Sequence, residues 1–419
     1  MDCVMTIIYK TTTRILITGF LFFTYNLVYS AGFYLPEVGT PASMGTAGTA
    51  NATNTFTADS AWTNPAGMTG LQQDEILSGL TLLVPKIEFS PSVAEKGGGD
   101  GGNAGTVAGI PGFFYVKKLS DKARFGFSVV APLGGGFDFG DNFVGRYAFT
   151  KLTLTGVALS PSFAYKVNNK LSLGAGVSMV YTIYEEEIAI NQGASPDGKM
   201  RIDNIDDWGA QFFGGLTYQF NDRVTLGVVY RGEMDTRLKG DVEFTNMLIT
   251  PAASTVNVGW KNPQVLEIGL KYKLDKEYTL FMNADWEDWS AFSKNRLAFS
   301  GGALNPAVQL DRNFKDTWKL GVAVARKIGE DKIISLGASY DSSPVDDVDR
   351  TIDLPFDEVM KLSASYSFKG KKELDYSIGG TLMYAGKGKV DQVAQGVRFK
   401  GEFDSNYILF LGGTLRYRF

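Results

Sequence analysis

The sequence predicts an all-β fold, a fourteen-stranded antiparallel transmembrane β-barrel with an amino-terminal hatch (plug) in its lumen. Three observations carry this. The chain ends in an alternating strand that stops on an aromatic residue, it begins with an export signal, and between them runs a ladder of alternating segments whose links are short and long in turn.

At the carboxy terminus, Tyr407, Leu409, Leu411, Gly413, Leu415, Tyr417 and Phe419 share one face, while Ile408, Phe410, Gly412, Thr414, Arg416 and Arg418 share the other. Successive strand side chains point to opposite faces, so the segment offers lipid one side and a lumen the other. A half-buried strand of a soluble sheet has the same period, and the ending alone leaves that alternative open.

The amino terminus narrows the choice. Lys10 and Arg14 precede an apolar run from Ile15 to Val28, and Tyr29-Ser30-Ala31-Gly32 supplies small residues for cleavage. Residues 1–30 therefore read as a secretory signal peptide, cut after Ser30. The run is broken by Thr24 and Asn26 and is short for a helical span, which needs roughly 20 apolar residues. The single cysteine, Cys3, lies in the discarded part, so the mature chain is exported without a disulfide or a thiolate ligand. No other stretch is long and apolar enough for a membrane helix, which leaves a soluble periplasmic protein or a closed barrel. A mean hydropathy of -0.05 fits a barrel, whose apolar residues are spread one in two.

Composition also removes function classes. A net charge of -4 with no basic stripe argues against a nucleic-acid partner. The chain has no histidine, which excludes Ser-His hydrolysis and His-ligated zinc. The acidic runs Glu185-Glu186-Glu187 and Asp346-Asp347-Val348-Asp349 read as solvated rim or loop residues, and the second lacks the spacing of a recognised calcium loop. No enzyme, cofactor or metal site is expected.

Strand-like segments lie near 75–89, 107–119, 124–132, 152–167, 171–187, 207–220, 224–238, 263–274, 278–289, 315–328, 333–343, 357–369, 373–386 and 404–419. Compact polar links such as Val167-Asn168-Asn169-Lys170, Phe220-Asn221-Asp222-Arg223 and Leu274-Asp275-Lys276-Glu277 suit tight periplasmic turns. Long links at 90–106, 133–151, 188–206, 239–262, 290–314, 344–356 and 387–403 fall between them. Seven long and six short links are what fourteen strands with both termini in the periplasm require. The ladder starts late: residues 31–73 are rich in Gly, Ala, Thr, Asn and Ser without lasting alternation, and 74–419 form the barrel. The early segment is either a hatch filling the lumen or a flexible periplasmic leader.

Several blocks then resemble one family. Asn64-Pro65-Ala66-Gly67-Met68 is similar to the Asn-Pro-Ala signature of the FadL family of outer-membrane transporters for long-chain fatty acids and other hydrophobic molecules. The start Ala31-Gly32-Phe33 resembles that family too, as do Ala131-Pro132-Leu133-Gly134, Gly145-Arg146-Tyr147 and Leu159-Ser160-Pro161-Ser162-Phe163. So do Asp285-Trp286-Glu287-Asp288-Trp289-Ser290, Phe314-Lys315-Asp316-Thr317-Trp318 and Tyr340-Asp341-Ser342-Ser343-Pro344-Val345. The terminal Phe419, with Tyr417 and Leu415 before it, resembles the signal read by bacterial barrel-assembly machinery.

The resemblance implies a monomeric outer-membrane barrel that passes a long-chain fatty acid or other hydrophobic small molecule into outer-membrane lipid. Asn64, Pro65 and Ala66 would belong to the hatch. Ligand would leave sideways at a lateral gate, for which Pro132, Leu133, Gly134 and Gly135 are the candidates, since proline donates no ladder hydrogen bond; these residues otherwise begin a long loop. Phe244, Met247, Leu248 and Ile249 form a candidate capture groove, or pack as a loop core. Arg146 and Arg416 are candidate carboxylate partners, against the alternative that they pair with Asp and Glu side chains. A general porin and a surface-interaction barrel remain the alternative functions.

Overall fold

The computed structural model describes residues 40–249, 255–292, 294–300, 308–371 and 373–419; the expected signal peptide and Ala31-Gly32-Phe33 lie outside the described residues. Nineteen strands among them form one antiparallel sheet. They are β1 (Glu75–Ala94), β2 (Ala108–Lys118), β3 (Ala123–Asp138), β4 (Lys151–Lys166), β5 (Leu171–Ile190), β6 (Gly198–Gln219), β7 (Val224–Arg231), β8 (Met234–Thr245), β9 (Thr255–Asn262) and β10 (Val265–Lys273). Then follow β11 (Tyr278–Glu287), β12 (Lys294–Ser300), β13 (Val308–Asp311), β14 (Thr317–Ile328), β15 (Lys332–Asp341), β16 (Val359–Lys369), β17 (Leu374–Tyr384), β18 (Lys389–Ala394) and β19 (Val397–Arg418).

Fourteen of them close a ring. β1 to β7 pair in sequence, β7 passes to β10, and β10, β11, β14, β15, β16, β17 and β19 continue to the seam, where β19 pairs with β1 from Glu75↔Arg418 to Ala94↔Phe399. Closure leaves the wall without an open edge, which lipid requires because it cannot hydrogen-bond a bare backbone. Side chains follow the expected alternation. Leu362 and Leu382 are exposed on the outer face while Ser363, Ser365 and Thr381 are buried on the inner one. On β5, Leu173, Val177 and Met179 face out against Ser172, Ser178 and Thr182.

The short turns show why their residues stand where they do. Asn168 Oδ1 accepts from the amides of Lys170 and Leu171 at 2.8 and 2.9 Å. Asn221 does the same for Arg223 and Val224, at 2.9 and 3.0 Å, and Asp275 for Glu277 and Tyr278, at 2.8 and 2.7 Å. A side-chain oxygen that stands in for a backbone turn makes each hairpin compact.

The long links depart from expectation. Residues 224–238, read as one strand, divide at Gly232-Glu233: β7 stays in the wall, while β8 leaves it to pair with β9 and with the outer end of β6. A link read as a plain loop, 239–262, is thus largely a hairpin, and β18 pairs with the outer end of β19 in the same way. The alternation of Met234, Thr236 and Leu238 belongs to this second sheet layer, which looks like wall in sequence because its period is the same.

Residues 40–73 lie inside the ring, almost wholly buried. They form α1 (Pro41–Met44), α2 (Ser60–Thr63) and a 3₁₀ turn (Pro65–Gly70). Asn64 caps that turn, its Oδ1 accepting from Ala66 N at 3.1 Å, and its Nδ2 donates to Ala52 O at 2.6 Å and to the wall at Leu216 O at 3.1 Å. Pro65 occupies the first position of the turn, where a missing amide hydrogen costs nothing.

The wall grips this segment chiefly by its backbone. Arg124 Nη2 donates to Leu71 O at 2.7 Å, Ser162 Oγ to Ala61 O at 3.0 Å, Thr381 Oγ1 to Met44 O at 3.1 Å, and Arg231 to Trp62 O. In the other direction Glu267 accepts from Ala52 N at 3.0 Å and Glu75 from Ala58 N at 2.6 Å. Close approach requires bare backbone: a Cβ at Gly227 would fall 1.9 Å from Ala52 O, and one at Gly174 2.4 Å from Ala66 N. Gly227→Val is therefore expected to leave the ring closed, since valine suits a strand, while displacing residues 50–54 at a cost of about 1–3 kcal/mol. Raised ion conductance in planar bilayers and new proteolytic cuts in the segment would show this; a variant as silent and resistant as the parent would refute it.

Candidate functional site

Three zones stack along the barrel axis. The uppermost is an apolar cluster roofed by the long links. Phe139 stacks on Phe143 at 4.2 Å between ring centroids, Phe89 meets Phe143 at 5.8 Å and Phe403 at 5.2 Å, and Phe149 meets Phe139 at 5.6 Å. Leu83, Ile202, Trp260, Phe356 and Phe410 extend it across the lumen. Of the candidate groove residues, Phe244 packs on this cluster and Met247 lies against Gly198, while Leu248 and Ile249 stand 69% and 84% exposed at the tip of the β8–β9 hairpin. The sequence did hold a signal for the upper cluster, in the phenylalanines at 137, 139, 143 and 149 within a glycine-rich link, but they follow no strand period.

The second zone is the wall beside the amino-terminal segment. β3 does not end at Pro132, as the loop alternative required, but runs on to Asp138 with a bulge. Val130 pairs with Ala158 and Leu133 with Gly156, so Ala131 and Pro132 together oppose Val157. The extra residue inverts the alternation: Ser128 and Val130 are buried before it, Leu133, Gly135 and Phe137 after it.

On the other side of β3 the ladder stops. β2 and β3 pair from Phe113↔Val129 to Lys118↔Arg124, and no pairing joins Ala108–Gly112 to β3. Higher up, the wall is resealed by a bridge between Gly105 and Phe137 and by Asp138 N donating to Ala104 O at 2.9 Å. Continuing the register would set Pro111 against Ala131 and Ile110 against Pro132, so each strand carries a proline, with no amide hydrogen, where the ladder should go on. Pro132 is conspicuous in the sequence beside its run of glycines, and Pro111 is not. This window lies where two apolar clusters meet. Ala108, Ile110 and Phe137 belong to the upper one, whereas Val130 and Leu133 pack with Ala58, Trp62 and Met68 of the amino-terminal segment.

The third zone is a cavity of about 530 Å³ at the periplasmic end, between that segment and the wall. Arg416 lines it and pairs with Glu75 at 2.6 Å and Asp375 at 3.4 Å. Arg418 beside it pairs with Asp375 at 2.9 Å.

Charged groups above the window are mostly engaged. Arg146 ties three links together: Nε pairs with Asp197 Oδ2 at 2.8 Å, Nη1 donates to Gly97 O at 3.2 Å, and Nη2 to Lys96 O at 3.3 Å. Glu187 pairs with Lys199 at 3.0 Å, and Asp346 and Asp347 pair with Lys315 and Arg350. Glu186 is not a solvated rim residue; it is half-buried and accepts from Tyr184 Oη at 2.9 Å. Arg312, which no sequence signal singled out, pairs with Asp353 at 2.5 Å but keeps a buried Nε with no hydrogen-bond partner.

A closed fourteen-strand ring with an apolar outer face defines the class of protein, an integral β-barrel of the bacterial outer membrane. The model of the outer membrane protein transport protein family (OMPP1/FadL/TodX) matches residues 22–419, and the chain belongs to that family. A long-chain fatty acid transport protein of Escherichia coli O6:H1 is 22% identical over 427 residues, spanning 93% of this chain and 95% of that one. A 47 kDa outer membrane protein of Pasteurella multocida is 24% identical, with 93% and 94% covered. Among solved structures, a Pseudomonas aeruginosa FadL homologue shares the fold with a TM-score of 0.83 at 21% identity, covering 93% of this chain and 100% of that one. The Pseudomonas putida toluene transporter TodX does so with a TM-score of 0.70 at 16% identity, covering 94% and 100%. These relatives are named as transport or outer-membrane proteins, not as enzymes.

The Arg146 clasp yields a pH dependence. Burial disfavours the Asp197 carboxylate, but hydrogen bonds from Arg146 and Tyr147 outweigh it and hold the group below its ordinary range. Its contribution to loop stability is thus complete above the unfolded value, about 3.9, and is lost as pH falls through the lower folded one. The loops are expected to resist limited proteolysis from neutral pH down to about pH 4. Arg146→Ala should expose 96–105 and 140–149 to cleavage already at pH 7, losing on the order of 1–3 kcal/mol. Equal cleavage of parent and variant at pH 7 would count against the clasp.

Proposed function

We propose that the protein carries long-chain fatty acids or related hydrophobic molecules across the outer membrane and releases them sideways into lipid. One observation carries the reading: the wall's ladder is interrupted where the upper apolar cluster meets the apolar face of the hatch. The names of the relatives, fatty-acid transport in one and toluene transport in another, agree with a hydrophobic cargo.

Ligand enters among the extracellular links, with the exposed Leu248 and Ile249 as first contact, and moves along the phenylalanine cluster. It then meets the hatch, where Asn64, Pro65 and Ala66 hold the turn against the wall. The exit is the window at Pro132, Leu133, Gly134 and Gly135. Energetics favour that door, because each CH₂ returned to water costs about 0.8 kcal/mol whereas transfer into acyl chains costs nothing comparable. Arg146 is engaged as a clasp, so the better partner for a ligand carboxylate in the upper lumen is Arg312, whose Nε donor is buried and unsatisfied.

Deleting Pro132 removes the extra residue of the bulge and lets β3 run in one register with β4. Uptake of radiolabelled oleate by cells should fall to the background of cells lacking the protein, with normal surface expression; undiminished uptake would eliminate the lateral exit. A second measurement separates cargo types. The double variant Arg312→Met, Asp353→Asn, which removes the donor without stranding its partner, should weaken oleate binding about tenfold and leave toluene binding unchanged. Unchanged oleate affinity would remove Arg312 from the ligand path.

A further inference from the structure

The periplasmic cavity plays no part in lateral release, yet it has the makings of a site. Six Lys or Arg side chains line it against three Asp or Glu, and it is closed above by Thr55, Phe56 and Thr57 of the hatch. Three of its cations have carboxylates of their own, Arg416 and Arg418 as described and Lys369 with Asp331 at 3.5 Å, while Lys273 and Lys327 are exposed to water.

Lys271 is different. It is half-buried, and among the described residues no carboxylate lies within ion-pair distance of it. Its Nζ bonds only a neutral hydroxyl, Thr55 Oγ1, at 2.7 Å, and lies 6.0 Å from the centroid of the Phe56 ring. A partly desolvated ammonium without a counter-charge is unfavourable unless an anion reaches it. The surface beside it is apolar: Phe56 sits 6.4 Å from Phe281 between ring centroids, with Leu77, Ala325 and Ile333 nearby in the same cavity. A half-buried cation set against an apolar floor, in a space of about 530 Å³, has the shape of a ligand pocket for one amphiphile rather than of a hydrated pore.

We propose that this periplasmic vestibule is a second ligand site, for an anionic amphiphile with a carboxylate head, in which Lys271 receives the head group and Phe56 and Phe281 receive the apolar body. Because the hatch forms its roof, occupancy from below bears on the same Thr55–Thr57 turn that faces the lumen from the other side. The site goes beyond the carrier reading and borrows from it only the choice of probe.

The test uses the full mature chain in lipid nanodiscs, photolabelled with palmitic acid carrying a diazirine near its methyl end and, separately, with the methyl ester of that acid. The acid is expected to label peptides containing Phe56 or Phe281, and the ester to label them far less. Lys271→Met should reduce that labelling on the order of tenfold, and Lys271→Arg should restore it. Heat-modifiable gel mobility reports folding, and Lys271→Gln serves if the methionine variant does not fold. Equal labelling by acid and ester, or undiminished labelling of Lys271→Met, overturns the proposal. Label confined to peptides of the upper phenylalanine cluster overturns the vestibule while leaving the carrier reading in place; no label at either place overturns both.

Discussion

Every backbone polar group that faces lipid must find its partner within the protein, and the rest of this molecule follows from that constraint. It forces fourteen strands to close at the β1–β19 seam, and closure on that scale leaves a lumen too wide for wall side chains to fill. The amino-terminal segment lies within it. A wall that must be complete also makes any interruption expensive, so the missing ladder between β2 and β3 calls for a cause. The two prolines provide one, since Pro111 on β2 and Pro132 on β3 each withhold an amide hydrogen at neighbouring levels of the ladder.

The window and the amino-terminal segment share one packed cluster. The bulge at Ala131-Pro132 inverts the pattern of β3 and so carries Leu133 inward, into the cluster that contains Trp62 and Met68. The segment thus touches the strand that borders the gap directly, through packed side chains. Electrostatics act elsewhere: Arg146 fixes the roof, and Arg416 with Glu75 fixes the periplasmic end of the seam strands.

Much of this was legible in the sequence because membrane strands and tight turns are governed by local rules. The period-two pattern of Leu362 to Phe368 and the turn residues Asn168, Asn221 and Asp275 state their roles within a few positions of themselves. Pro132 was readable for the same reason. What could not be read depends on distant residues. Nothing near Arg146 announces Asp197, fifty-one positions away, or shows that its donors are already taken. Arg312 stands out only once its buried Nε is located, and Pro111 acquires meaning only when set against Ala131 across the gap. β8 misled for a different reason: a strand in a second layer alternates just as a wall strand does.

The way the wall holds its amino-terminal segment has a consequence for how such a protein changes over generations. Arg124, Arg231, Ser162, Thr381, Glu75 and Glu267 all bond carbonyls or amides of that segment, with Arg231 and Ser162 also touching the side chains of Trp62 and Met68. Backbone groups are the same whatever residue bears them. Away from Asn64 and Thr55, whose side chains themselves meet the wall, the segment's sequence is thus at liberty to drift among small residues, while selection for its attachment falls on a few polar positions scattered around the barrel and far from it in the chain.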